Sequence, residues 1–239
     1  MEEIYTPENR KNEFTKTHLS TSGKYQLTIE LYEITDNHRS VSRGIVKRLY
    51  DNKDIFEIKR NYWSFPYLFF NRNGDEWLIC GRKYLTQSFI NLDKEKEYER
   101  HVESCQNFCW TGYSISPDGD TMAVDGCIWA APYEYRFFDI SDIEGKGWPE
   151  LICNEFLYID DWVDDESDGI GWNDDNTFTW KHNREWSTRF DKSFDDLTKV
   201  EFDQSNESLA DEIEYVTLEY KTLKPEDGKM VVIDEWKKA

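Results

Sequence analysis

A hairpin pattern recurs about every 50 residues along this chain of 239. Two copies are clear: YLFFNRNGDEWLICG over 67–81 and GYSISPDGDTMAVDG over 112–126. In each, an apolar or aromatic run enters a polar turn containing glycine, and a second apolar run leaves it. Looser copies span 17–31, 168–182 and 219–234, which places turn centres near Gly23, Gly74, Gly119, Asn176 and Gly228. A fixed spacing of this size is the signature of a repeat architecture. Asn-Gly and Asp-Gly supply the positive φ that tight hairpins need, and Pro117 and Pro225 preset the first turn position.

Between the turns the chain reads as short strands. KYQLTIELYEI alternates with period two, so Tyr25, Leu27, Ile29 and Leu31 share one face. Residues 42–50 and 54–60 read as two further strands, which gives about four in the first unit. The pattern predicts an all-β fold: a small β-propeller-like repeat domain of about five four-stranded units, with four blades or a two-sheet sandwich as alternatives. A polar N-terminal arm is expected over 1–13 and one domain over 14–239, with the closing blade pairing N- and C-terminal strands. Apolar residues make up only 38 %, but Trp 10, Tyr 14 and Phe 14 supply much of that share. Aromatics favour strands and bury large areas each, so the composition is compatible with a packed core.

The residues also carry a resemblance. Ser116-Pro117-Asp118-Gly119, then Met122-Ala123-Val124, then Phe137-Phe138-Asp139-Ile140 resembles the blade pattern of WD40-like β-propellers. Asn73-Gly74, Trp77-Leu78-Ile79 and Ile90-Asn91-Leu92-Asp93 is similar to it in the preceding unit. The Gly-His and Trp-Asp dipeptides of true WD40 repeats are missing, so the resemblance implies architecture and no activity. The stretch 108–139 is also similar to small microbial and viral proteins of no assigned activity.

Formal net charge is −20. Such a field repels a phosphate backbone and an anionic membrane surface, so direct nucleic-acid or membrane binding is not expected. A basic protein partner or a cation is favoured. Five cysteines, an odd and sparse set, suit reduced thiols in a cytoplasmic setting better than a disulfide framework. The N-terminus has no basic region followed by an apolar one, and no apolar run approaches the length of a membrane helix.

Three groups of residues are candidate sites. The acidic run holds Asp160, Asp161, Asp164, Asp165, Glu166 and Asp168. Asp164, Glu166 and Asp168, with Gly169 next and Asp175 in the twelfth position, approach a calcium-loop spacing. A solvated acidic loop facing a basic partner is the simpler reading, because the flanks read as strands, the twelfth position is Asp rather than the longer Glu, and Gly171 stands where an apolar anchor is usual. His101, Cys105, Cys109 and Cys127 hold four zinc-type ligands at a spacing unlike named zinc modules, and buried thiols explain the cysteines more simply. The aromatic residues Trp110, Trp129 and Tyr133 belong to one repeat unit, the latter two within the apolar stretch 127–133, and rigid aromatic area is what binding surfaces use. No GxSxG, P-loop, HExxH or GxGxxG motif occurs, and no residue is assigned a catalytic role.

The expected function is a non-enzymatic interaction module, of the kind in which an acidic inhibitor or immunity-type protein neutralises a basic partner. Trp110, Trp129, Tyr133, Asp160, Asp161, Asp164 and Asp165 are the expected partner-binding residues. The alternatives are a carbohydrate or small-ligand domain using the aromatic surface, and a structural subunit of a larger assembly. No cofactor is expected beyond the calcium alternative.

Overall fold

The computed structural model describes residues 4–34, 39–83, 86–100, 108–128, 132–159, 169–193, 196–201 and 213–237. Four sheets follow one another along the chain. The first is a meander of β1 (Arg10–Leu19), β2 (Tyr25–Ile34), β3 (Arg39–Arg48) and β4 (Lys53–Arg60). The second repeats that plan with β5 (Tyr67–Arg72), β6 (Asp75–Lys83), β7 (Thr86–Asn91) and β8 (Lys96–Arg100). The third holds β9 (Phe108–Ile115), β10 (Thr121–Ile128) and β11 (Tyr133–Asp139). The short strands β12 (Ile152–Cys153) and β13 (Tyr158–Ile159) then separate: β13 completes the third sheet and β12 joins the fourth, parallel to its last strand. The fourth sheet contains β14 (Gly171–Trp172), β15 (Phe178–Ser187), β16 (Lys192–Ser193), β17 (Ile213–Glu226) and β18 (Lys229–Lys237). The protein is a small all-β, propeller-like domain.

The sheets number four because the fourth and fifth hairpins share one. β14 is only two residues long, too short to seed a sheet, and β17 instead pairs along the whole of β15. Residues 10–13, placed by the sequence in a polar arm, begin β1. Asn9 and Tyr5, just before them, are held to the first sheet by Glu33 N donating to Asn9 O at 2.9 Å and Tyr5 OH donating to Arg60 O at 3.1 Å. The expected pairing of N- and C-terminal strands does not occur among the described residues: β1 pairs with β2, and β18 with β17 and β12. Each terminal strand already has a hairpin neighbour close in sequence. The turns are as expected, with positive φ at Gly23, Gly74, Gly119, Asn176 and Gly228.

Three apolar seams join successive sheets. The first packs Leu27, Val46 and Ile58 against Leu78, Cys80 and Ile90. The second packs Trp77, Ile79 and Phe89 against Trp110, Met122, Val124 and Phe138. The third packs Ala123, Tyr135 and Phe137 against Phe178, Trp180 and Leu223. Consecutive residues of the middle sheets feed opposite seams, because strand side chains alternate faces. Trp77 and Ile79 point one way, Leu78 and Cys80 the other; Met122 and Val124 oppose Ala123. The runs WLIC and MAV are therefore continuously apolar, as strands buried on both faces must be. Among the described residues no apolar cluster joins the first sheet to the fourth, so the seams form an open series.

Polar latches tie the hairpin ends together. Ser22 N donates to Glu76 Oε1 at 3.0 Å, from the first sheet to the second. Arg72 reaches from the second to the third, donating to Gly119 O, to Asp120 Oδ1 at 3.0 Å and to Ser141 O. Asp118 N donates to Asn176 Oδ1 at 2.8 Å, from the third to the fourth. On the outer face of the first sheet, Glu30 accepts from Arg10, Arg43 and the Tyr32 hydroxyl at 2.6–2.8 Å. Burial opposes its ionisation, but these donors outweigh burial and hold its pKa below the ordinary value of 4.5.

Two stability predictions follow from this geometry. At Gly119 φ is +78° and a Cβ would meet nothing within 4 Å, so Gly119→Val costs backbone strain alone, about 1–3 kcal/mol. Differential scanning fluorimetry should show a fall of several degrees; an unchanged Tm would refute the turn assignment. Glu30 is depressed in the folded state, so its contribution is complete above the unfolded value of 4.5 and is lost as pH falls through the lower folded pKa. Glu30→Gln should cost about 2 kcal/mol at neutral pH and flatten the acid limb of a Tm–pH profile.

Candidate functional site

The strands that begin each sheet converge. β5 and β14 both lie against β9, and Trp172 Nε1 donates to Ser114 O at 3.3 Å. Beside them is an open cavity of about 560 Å³. Its walls come from β1 and β2, from the 61–66 connection between the first two sheets, from the start of β5, and from β9 and β11.

Alternation places Lys16 and His18 of β1 on the cavity side, and Phe14 lines the cavity with them. Ile29 and Leu31 of β2 continue the face whose other end, Tyr25 and Leu27, is core. The β1 ladder is irregular here. Lys11 pairs with Leu31 and Lys16 with Ile29, so residues 12–15 oppose Glu30 alone. The extra residues carry Phe14 out to the cavity mouth, where it is 56 % exposed.

β9 has a second irregularity at the opposite wall. Gly112 pairs with Asp125 and Trp110 with Gly126, which leaves Thr111 as an extra residue. Its hydroxyl donates to Asp125 O at 3.1 Å. A Cβ on Gly126 would come within 2.2 Å of Cys109 O, so the close approach at the bulge requires glycine. Because of the bulge, the successive residues Trp110 and Thr111 both line the cavity. Such bulges re-aim side chains, and they concentrate beside functional sites.

The remaining lining is aromatic. Tyr62, Trp63 and Phe65 come from the connection, Tyr67 from β5 and Tyr133 from β11. Trp63 is 59 % exposed at the mouth and Tyr133 is 38 % exposed, while Trp110 is 2 % exposed and packs on Phe138 at a ring distance of 4.5 Å. Trp110 is thus floor rather than rim. His18 lies 4.8 Å from the Tyr67 ring, and burial, helped by Lys16, lowers its pKa. Burial raises the pKa of Tyr67 and of Tyr133, so both phenols stay protonated hydrogen-bond donors at neutral pH. The cleft can stack flat apolar groups and offer a few donors, with Lys16 as its cation.

Of the residues singled out in the sequence, Trp110 and Tyr133 are brought to this one cleft. Trp129, Asp160, Asp161, Asp164, Asp165, Glu166 and Asp168 lie outside the described residues, as do His101 and Cys105. Asp175, the twelfth position of the calcium-like spacing, caps its own turn: Thr177 N and Oγ1 both donate to Asp175 Oδ1, at 3.1 and 2.6 Å. Cys109 and Cys127 face each other across β9 and β10 as buried thiols. Among the described residues no group of three metal-ligating side chains is gathered. Phe14, Lys16, His18, Tyr62, Trp63 and Tyr67 were not picked out by sequence reasoning. The aromatic density of Tyr62-Trp63-Ser64-Phe65-Pro66-Tyr67, in a segment between strands, was the available signal.

Burial separates floor from rim in a testable way. Trp110→Ala removes a core indole and should cost about 3–5 kcal/mol. Phe14→Ala and Trp63→Ala remove exposed rings and should each change stability by no more than about 0.5 kcal/mol. Urea unfolding of the three variants checks this, and a large loss at Trp63 would contradict its placement at the mouth.

No known family profile matches the chain. It is 33 % identical over 222 residues to the uncharacterized protein R762 of Acanthamoeba polyphaga mimivirus, an alignment that covers 87 % of this chain and 85 % of the relative. At that identity and coverage, the chain belongs to the same family as the mimivirus protein.

Proposed function

We propose that the protein is a non-enzymatic interaction module that engages a basic protein through the aromatic mouth of the cleft, in the manner of an acidic inhibitor or immunity-type protein. One observation carries this reading: Phe14 and Trp63 stand more than half exposed on two different segments at the mouth of one cavity. Rigid aromatic side chains of this kind are the usual anchors of interfaces. The charge of −20 would speed encounter with a basic partner and discourage acidic ones. We read the architecture as WD40-like, on the strength of the four successive sheets and the Ser116–Gly119 hairpin. A cytoplasmic setting is in keeping with the buried thiols of Cys80, Cys109 and Cys127, none of them in a disulfide.

The 560 Å³ cavity behind the rim supports a second reading, a small-ligand domain, because its size falls in the range of small-molecule sites.

The partner reading is tested by affinity capture from amoebal lysate, the relative being a protein of an Acanthamoeba virus, with wild type and the Phe14→Ala/Trp63→Ala double variant side by side. Capture at about 0.05 M and about 0.5 M salt separates steering from anchoring. The expected result is a basic protein held by wild type, weakened by salt, and reduced roughly tenfold by the double variant. Equal capture by both proteins, or no basic protein with wild type, would sink the reading.

A further inference from the structure

The cavity behind the rim has a chemistry of its own. Its lining is mostly ring faces and aliphatic carbon, with Lys16 and His18 on one wall and the Tyr62, Tyr67 and Tyr133 phenols on the others. No carboxylate is among the lining residues described. A sugar asks for many directed hydrogen bonds, and few polar groups converge here. A flat apolar body finds rings on several sides: the Trp110 floor, Tyr67 and Tyr133 on the walls, and Phe14 and Trp63 above.

Lys16 is the unusual member. In a chain of net charge −20, carboxylates greatly outnumber cations. The neighbouring cations of β1 are taken: Arg10 pairs with Glu30 at 2.8 Å and Lys11 with Glu33 at 2.9 Å. Among the described residues no carboxylate pairs with Lys16, which stands exposed at the cavity wall between Phe14 and His18. Lys16, where the regular ladder resumes opposite Ile29, lines the same cavity as Phe14, which the irregular residues before it carry to the mouth. His18 adds an imidazole that its burial keeps neutral near pH 7, able to hydrogen-bond without adding a second charge.

We propose that this cavity binds a small aromatic carboxylate, its ring stacked among Trp63, Tyr67 and Tyr133 above the buried Trp110 floor and its carboxylate paired with Lys16. The inference rests on the small-ligand reading of the cleft and is independent of any protein partner. The acidic surface sets the class. A polyanion would meet the whole repulsive field, whereas a single carboxylate beside a lysine meets mainly that local cation, since distant charges are screened beyond about 8–10 Å. The apolar ring supplies affinity and the cation supplies the preference for an acid over its neutral analogue.

The test uses a matched pair of probes, naphthoate and naphthamide, which share a ring system and differ in charge. Isothermal titration calorimetry at neutral pH should show naphthoate binding wild type about fivefold more tightly than naphthamide, the scale of a partly exposed ion pair. Lys16→Met should remove that preference and leave naphthamide affinity unchanged. Trp63→Ala should weaken both probes roughly tenfold through lost stacking. Both replaced side chains are exposed, and circular dichroism confirms that each variant is folded. The calorimetry uses purified protein and probe with no lysate protein present, so loss of capture in the rim variant and loss of acid preference in the lysine variant are read separately. Equal affinity for the two probes, a preference that survives Lys16→Met, or no binding of either probe overturns the proposal.

Discussion

The structure depends on the double burial of its middle strands. β6 and β10 send consecutive side chains into opposite seams, so that neither sheet has a face to spare for water. A four-stranded sheet of this size cannot bury its apolar surface alone. Each sheet is stable because its neighbours cover it, and the covering side chains are large. Phe89 and Trp148 approach to 4.5 Å in the middle seam, and Trp110 and Phe138 do the same. Aromatic residues fill these layers with few side chains, which is how a chain of only 38 % apolar residues sustains three seams.

The cleft is a by-product of that stacking turned to use. Sheets wedged together by their faces leave their leading strands converging. The leading strands cannot all pair with one another, so space remains between them. Two local irregularities decide what lines it. The extra residues of β1 push Phe14 outward, and the extra residue of β9 turns Trp110 and Thr111 into the cavity together. The hairpin latches run through Glu76, Arg72 and Asn176 from sheet to sheet, and they hold the sheets in register while the cleft stays open.

Much of this could be read from residues in order. The turn at Asp118-Gly119 and its relatives announced positive φ, and all five have it. The contrast between alternating KYQLTIELYEI and continuous WLIC also carried information: a strand in an end sheet puts one face into an apolar seam, and a strand in a middle sheet puts in two. The number of sheets was harder to read. The hairpins at 168–182 and 219–234 look like separate units, yet β17 pairs with β15 and merges them, a choice made by pairing between segments far apart in sequence. The aromatic residues of 110–135 stood out by density, but density does not separate floor from rim. Trp110 is nearly inaccessible and Trp63 open, and nothing in their immediate neighbours in sequence distinguishes them.

The sequence by itself determined the β class, the hairpin turns, the acidic field and the presence of a concentrated aromatic set. Those properties are local or additive: turn chemistry acts over four residues, strand alternation over two, and charge is a sum. Only the tertiary structure decided that Phe14, Lys16, Trp63, Tyr67, Trp110 and Tyr133, drawn from three sheets and a connection, share one cavity. That grouping depends on how seams stack and where ladders slip, and a bulge of one residue is enough to turn a side chain from one face of a sheet to the other.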